Sequence, residues 1–341
     1  MKRFLLMLIC MACLLTGCRG IGEKTSDPEE EKQLITVGFS QLGAESDWRK
    51  ANTESMLQAF TEENGYELIM EDGQQKQVNQ ITAIRTFIQR EVDYIVLAPV
   101  TEEGWETVLE EAKDAGIPVI IVDRQVKVKD KDLFTCWVGS DFALEGRKAT
   151  EWLHAFTRAQ GIDPAEINVV DIQGTLGSSA QIGRSAGILD ASKKYGWKLL
   201  AQVSGEYTQA RGREVMNYFL KVYDQINVVY CENDNEALGV IEAVEAAGRK
   251  VGSDIRNGEI LVMSFDGVNE TALQFAREDK ISCIGECNPL HGPRVRKIIE
   301  SLEKGETPEK YEYVDESIFS SLDQVQAVEV DGESYPVTLL K

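Results

Sequence analysis

Histidine is almost missing from this chain, with two in 341 residues, His154 and His291. His154 falls inside a stretch with helical spacing, where a surface or core role is ordinary. His291 sits in the loop NPLHGP with no serine or cysteine elbow beside it. Acid–base catalysis and zinc binding therefore lose their usual carrier. Gly-x-Ser-x-Gly, His-Glu-x-x-His and the Gly-Lys-Ser/Thr phosphate loop are absent too. A glycosidase needs only two carboxylates, but no pair stands out among the 57 acids, and no enzyme is expected. Positive charge is also short. Lys and Arg number 36 and the net charge is −21, which repels phosphate backbones and argues against a nucleic-acid partner. Cysteine is sparse: Cys136, Cys231, Cys283 and Cys287 follow Cys18, with no Cys-x-x-Cys pair among them, so no metal site is expected. Cys283 and Cys287 lie ~13 Å apart if the segment is extended, too far for a disulfide unless the chain turns. Free, buried thiols are the expectation. Past the N-terminus no stretch approaches eighteen apolar residues, so no later membrane span is expected.

The first eighteen residues are of another kind. Lys2 and Arg3 precede an apolar run over 4–15, and Leu15-Thr16-Gly17-Cys18 closes it with small residues. That is a secretory leader, too short to span a bilayer of ~30 Å. Its ending resembles a bacterial lipobox, which implies removal of residues 1–17 and acylation of Cys18; a plainly cleaved leader with an incidental Cys18 is the alternative. Two or more acyl chains give stable anchoring where one does not. Residues 19–33 (RGIGEKTSDPEEEKQ) are nearly devoid of apolar side chains and read as a tether, spanning roughly 20 Å as a flexible coil. The chain is thus expected on the extracytoplasmic face of a cell membrane, held by lipid.

The remaining length suits two domains of ~100–200 residues each. Apolar, β-branched strands alternate with helical stretches: strands at 35–40, 67–71, 93–99 and 118–122, with helices at 48–64, 77–91 and 101–115 between and after them. The pattern restarts at 136–139. Helices at 144–159, 179–195, 211–223 and 236–247 then alternate with strands at 167–172, 198–203, 227–231 and 259–265. Continuously apolar strands in such an alternation predict an α/β fold with two doubly wound parallel sheets, whose ligands bind beyond the carboxyl ends of the strands.

Nearly every expected strand ends in Asp, Asn, Arg or Trp. Glu45, Trp48 and Arg49 follow the first, Asp123 and Arg124 the fourth, Arg184 the strand INVVDI, Asn233 the run NVVYC, and Asp266 the run ILVMSF. Each has a bland reading as a helix cap or turn residue. Their recurrence favours a shared site. Carboxylates, amides and guanidinium forks suit ring hydroxyls, and an aromatic face suits the C–H side of a sugar.

The segments TVGFSQLGAESDWR, EDGQQKQVNQI, VDR, QGTLGSSAQIGR, GREVM, END and SFDG resemble the sugar-binding proteins of ABC importers, in the ribose/galactose group and nearest its galactofuranose-binding members. The resemblance covers residues 34 to about 302, and the last forty residues match more loosely. It implies a type I periplasmic-binding-protein fold: two lobes joined by a three-stranded hinge and closing on a monosaccharide. The first lobe would hold residues 34–137 and about 268–297, the second 138–267 and about 298–341. It implies ligand contacts at Glu45, Trp48, Arg49, Asp123, Arg124, Arg184, Asn233, Asp266 and Glu286, no cofactor, a monomeric state, and an ABC permease and its ATPase as partners. Asn235-Glu236 and Cys287 depart from the subgroup pattern, leaving the identity of the sugar open. A sugar-sensing repressor would need a basic helix-turn-helix ahead of Ile35, where this chain has a leader and an acidic tether. Presentation of the sugar to a membrane receptor or kinase is the alternative to import.

Overall fold

The computed structural model describes residues 34–341. The leader, Cys18 and the tether expected at 19–33 lie outside the described residues. Among the described residues no helix is long and apolar enough to cross a membrane.

The first sheet contains β1 (Ile35–Gln41), β2 (Tyr66–Asp72), β3 (Tyr94–Leu97), β4 (Val119–Val122), β5 (Cys136–Gly139) and β11 (Tyr311–Tyr313), in the order β2-β1-β3-β4-β5-β11. All of its pairings are parallel. β3, β4 and β5 are buried along their whole length, as strands covered on both faces must be. The covering helices are α1 (Asp47–Ala59), α2 (Gln77–Gln89), α3 (Glu106–Asp114) and α9 (Gly292–Glu303). Met56 of α1 packs with Val295, Ile298 and Ile299 of α9 on one face; Ile84, Phe87 and Leu109 fill the other. Each such buried side chain contributes about 1.5–3 kcal/mol.

The second sheet repeats that order. Its strands are β6 (Asn168–Gln173), β7 (Lys198–Ser204), β8 (Val228–Cys231), β9 (Leu261–Asp266), β10 (Cys283–Glu286), β12 (Ile318–Ser320), β13 (Ala327–Val330) and β14 (Glu333–Leu339). They run β7-β6-β8-β9-β10-β12-β14-β13, parallel through β10 and mixed beyond. Helices α4 (Phe142–Ala159) and α5 (Ser179–Tyr195) cover one face; α6 (Gln209–Val222), α7 (Asp234–Ala246) and α8 (Glu270–Arg277) cover the other. In both sheets the order reverses between the first and third strands, which places a crevice at the carboxyl ends.

Most element positions agree with the periodicity, and the departures have local causes. The helix expected over 48–64 ends at Ala59, because Thr61 caps a separate 3-10 turn at Glu62–Asn64 that Gly65 closes at φ 90°. The helix expected from 101 starts at Glu106, since Gly104 takes φ 88° and the Trp105 indole donates to the Thr101 carbonyl at 2.7 Å. Three segments join the opposite sheet from the one expected, the first being α8, which lies within 268–297 but packs Ala272 and Ala276 into the core of the second sheet. β10, within the stretch assigned to the first half, pairs with β9 of the second sheet, and β11, assigned to the second, pairs with β5 of the first. The four cysteines from Cys136 onward are free and buried.

Candidate functional site

The carboxyl ends of both sheets converge on one pocket, where ligands of doubly wound sheets bind. Eight of the nine residues expected at a ligand line it: Glu45, Trp48, Arg49, Asp123, Arg124, Arg184, Asn233 and Asp266. Glu286 does not. Its Oε2 accepts from the Ser317 N–H at 2.8 Å, turning the carboxylate into a chain crossing instead. Ser46, Phe142, Ala180, Tyr207 and Cys287 complete the lining.

The first sheet presents a charged lattice. Ser46 caps α1 by accepting from the Arg49 N–H, which aims the first turn of the helix at the cavity. Arg49 Nη2 donates to Asp123 Oδ2 at 2.5 Å and its Nε to Glu45 Oε1 at 3.3 Å. Arg124 lies 3.6 Å from the same Glu45 oxygen and donates through Nη1 to the Val100 carbonyl at 2.8 Å. Burial alone would raise the Asp123 carboxyl, but Arg49 and Arg124 outweigh it and hold the group below its usual range. Asp123 sits at φ 63°, in left-handed space, with the Trp137 indole donating to its carbonyl at 2.9 Å. Strain of this kind is characteristic of ligand clamps.

The second sheet answers with Arg184. Its Nε donates to Glu145 Oε2 at 2.8 Å, its Nη1 to the Glu232 carbonyl at 2.5 Å, and its Nη2 lies 3.7 Å from Asp266 Oδ1. Glycine makes this reach possible, because a Cβ on Gly183 would stand 2.6 Å from the Phe142 carbonyl carbon and force α4 and α5 apart. Asp266 ends β9 at φ 93°; burial drives its carboxyl well up against the opposing pull of Arg184. Asn233 has two roles. It caps α7 by accepting from the Glu236 N–H at 2.8 Å, and it faces the cavity while donating to the Tyr207 carbonyl at 3.1 Å.

Between the charged walls lies an apolar patch of Trp48, Phe142, Ala180, Tyr207 and Cys287. The Trp48 indole donates to the Cys287 carbonyl at 2.7 Å, and Arg124 stacks over the Tyr207 ring at 5.3 Å. Tyr207 fits only because residue 174 is glycine; a Cβ there would come within 1.8 Å of its ring. The site thus joins three guanidinium groups, three carboxylates and aromatic faces. Two buried atoms in the first wall, Glu45 Oε2 and Arg49 Nη1, have no protein partner, so an acceptor and a donor are left for a guest.

Tyr207 follows β7, so the strand-end rule that found the others extends to it. Phe142 and Cys287 come from chain crossings whose positions depend on the tertiary return and leave no local signal.

The periplasmic binding protein domain family matches residues 37–287. The galactofuranose-binding protein YtfQ of Escherichia coli is 39% identical over 280 residues, covering 81% of this chain and 85% of that one. A Mycobacterium smegmatis protein in complex with β-D-fucofuranose superimposes with a TM-score of 0.78 at 40% identity, covering 84% of this chain and 91% of that one. The binding component of an arabinose ABC transporter from Shewanella sp. ANA-3, bound to L-arabinofuranose, gives 0.77 at 38% identity, with coverage of 83% and 91%. This chain belongs to the periplasmic binding protein family.

Proposed function

We propose that this protein captures a monosaccharide in its furanose form in the cavity between the two sheets and delivers it to an ABC importer. The observation that carries the reading is the pairing of Glu45 Oε2 and Arg49 Nη1, buried and unpartnered, with an aromatic wall in the same pocket. Carboxylate and guanidinium alternate around a hydroxyl-rich guest and satisfy it without net charge. The aromatic faces take the C–H side of the ring. Relatives at 38–40% identity that bind furanoses support the choice of ring form.

The two sheet units act as lobes that close on the sugar, and contacts made only in the closed state supply the affinity. Arg49, Asp123 and Arg124 act from the first lobe; Arg184, Asn233 and Asp266 act from the second. Delivery is helped by the lipid on Cys18, which keeps the receptor beside its permease outside the cytoplasm. A thermal-shift screen of furanose and pyranose sugars tests the assignment, because a ligand that binds only the folded state raises the midpoint by mass action. D-galactofuranose and L-arabinofuranose are expected to raise it. A panel in which no sugar moves the midpoint rejects the reading.

A further inference from the structure

Behind the cavity, three short crossings join the sheets: residues 140–141 after β5, 287–291 after β10 and 314–317 after β11. Glu316, in the third, grips the other two. Its Oε1 accepts from the Ser140 hydroxyl at 2.6 Å and from the Asn288 N–H at 2.7 Å, while Lys148 Nζ donates to its backbone carbonyl at 2.7 Å. The carboxyl also approaches Glu145 and Cys287; one donor-type atom from each of the three lies within 4.8 Å of the others. Glu145 is buried, and its two oxygens are treated differently. Oε2 accepts from Arg184 Nε at 2.8 Å, whereas Oε1 has no hydrogen-bond partner. A buried acceptor facing a second carboxyl is satisfied by a proton carried on that neighbour.

We propose that Glu145 and Glu316 share one proton at the crossings and that this pair positions Arg184 for the ligand. The proton assignment stands on the geometry alone, whereas its effect on affinity rests on the proposed sugar function. With the proton in place, Glu145 carries the single charge that Arg184 needs and Glu316 is its neutral donor. Without it, two carboxylates face each other in a low-dielectric interior and repel. The repulsion acts on the side chain of Glu145, whose Oε2 holds Arg184 Nε at 2.8 Å. Burial and then the Glu145 charge push the Glu316 carboxyl up to about 9; burial raises Glu145 too, against Arg184. The titratable groups around the pair are Lys148 and Asp141 from α4 and its cap, Arg184 from α5, Asp266 from β9, the Cys287 thiol from the second crossing and Asp315 from the third. Glu286, hydrogen-bonded to Ser317, lies beside them. An acid with a raised folded value is protonated up to that value. Arg184 is therefore held correctly at neutral pH and released as pH rises through about 9.

The test uses the full-length protein in detergent. Infrared spectra without sugar are expected to show a protonated-carboxyl component at neutral pH that fades as pH rises through about 9 and is missing from Glu316→Gln. A wild-type band that does not titrate in this range overturns the proton, whatever the variant does. Calorimetry with methyl β-D-galactofuranoside then reads the positioning role. Wild-type affinity is expected to fall about tenfold between neutral pH and pH 10, the effect of one pKa unit between open and closed states. Glu316→Gln, which mimics the neutral acid, is expected to keep its neutral-pH affinity throughout. A variant that follows the wild-type slope overturns the positioning role. A midpoint rise on adding zinc that Cys287→Ser abolishes overturns the shared proton in favour of a metal at the same three atoms. If the sugar binds at no pH, the proposed function fails while the infrared result still decides the proton.

Discussion

Asp47 and Asn235 meet across the mouth of the cavity through two hydrogen bonds. The Asp47 N–H donates to Asn235 Oδ1 at 3.0 Å, and Asn235 Nδ2 donates back to Asp47 Oδ2 at 3.1 Å. Asn269, the cap of α8, donates to the same carboxylate oxygen. Asp47 opens α1 on the first sheet and both asparagines belong to the second, so the trio is a clasp between the two units. None of the three lines the cavity. Asp47→Ala is expected to weaken sugar binding by about tenfold, since each hydrogen bond is worth about 1 kcal/mol. The loss should appear as faster dissociation in a stopped-flow measurement. An unchanged dissociation rate would show that the clasp takes no part in holding the closed state.

Arg184 is the group whose replacement is most informative. Lysine keeps the charge, but one ammonium cannot serve Glu145, the Glu232 carbonyl and Asp266 together. Arg184→Lys should lose at least about tenfold in affinity by calorimetry, with circular dichroism showing an intact fold. Retained affinity would mean that charge alone, without the fork, suffices.

Asp123→Ala removes the partner that Arg49 and Arg124 share. Breaking a buried pair on one side typically costs about 3–5 kcal/mol, so a lower melting temperature should accompany at least a tenfold loss of binding (about 1.4 kcal/mol). A variant that melts and binds like the parent removes Asp123 from the site.

His291 makes the fold sensitive to acid. Its Nδ1 pairs with Asn52 at 3.2 Å and its Nε2 is buried without a partner. Burial pushes the imidazole down to about 4 from its ordinary 6.5. The unfolded chain therefore binds a proton between those values that the folded chain refuses, and stability is lost as pH falls from 6.5 towards 4. The loss is on the order of 3 kcal/mol. Urea unfolding of His291→Gln across that window should show a flatter pH dependence than the parent. Parallel curves for the two proteins would exclude the histidine as the acid-sensitive group.

Cys18→Ser should move the exported protein from the detergent phase to the aqueous phase while leaving its sugar affinity unchanged. A variant that still partitions into detergent would place the anchor elsewhere.

The strand ends were legible in the sequence because two simple rules act together. Continuously apolar strands demand cover on both faces, and ligands of such sheets collect at the carboxyl ends. Glu45, Asp123, Asn233 and Asp266 follow from those rules. The bland reading of Asn233 also holds, since the residue caps α7 as well as facing the cavity. Glu286 shows where the rules stop. It too ends a strand, yet a backbone N–H from the third crossing captures its carboxylate, and no local pattern announces that partner. β10 and β11 join the halves opposite to those expected for a related reason. They are four and three residues long, too short to carry a period, and the sheet each joins is decided by where the chain returns.

That return has a consequence for the order of synthesis. β11, close to the C-terminus, supplies the edge strand of the sheet that β1 begins, so the first half of the molecule is not continuous in the chain. A polypeptide threaded through a membrane from its N-terminus delivers that edge strand late. The sheet that emerges first therefore gains its last strand only after nearly all the rest of the chain has followed.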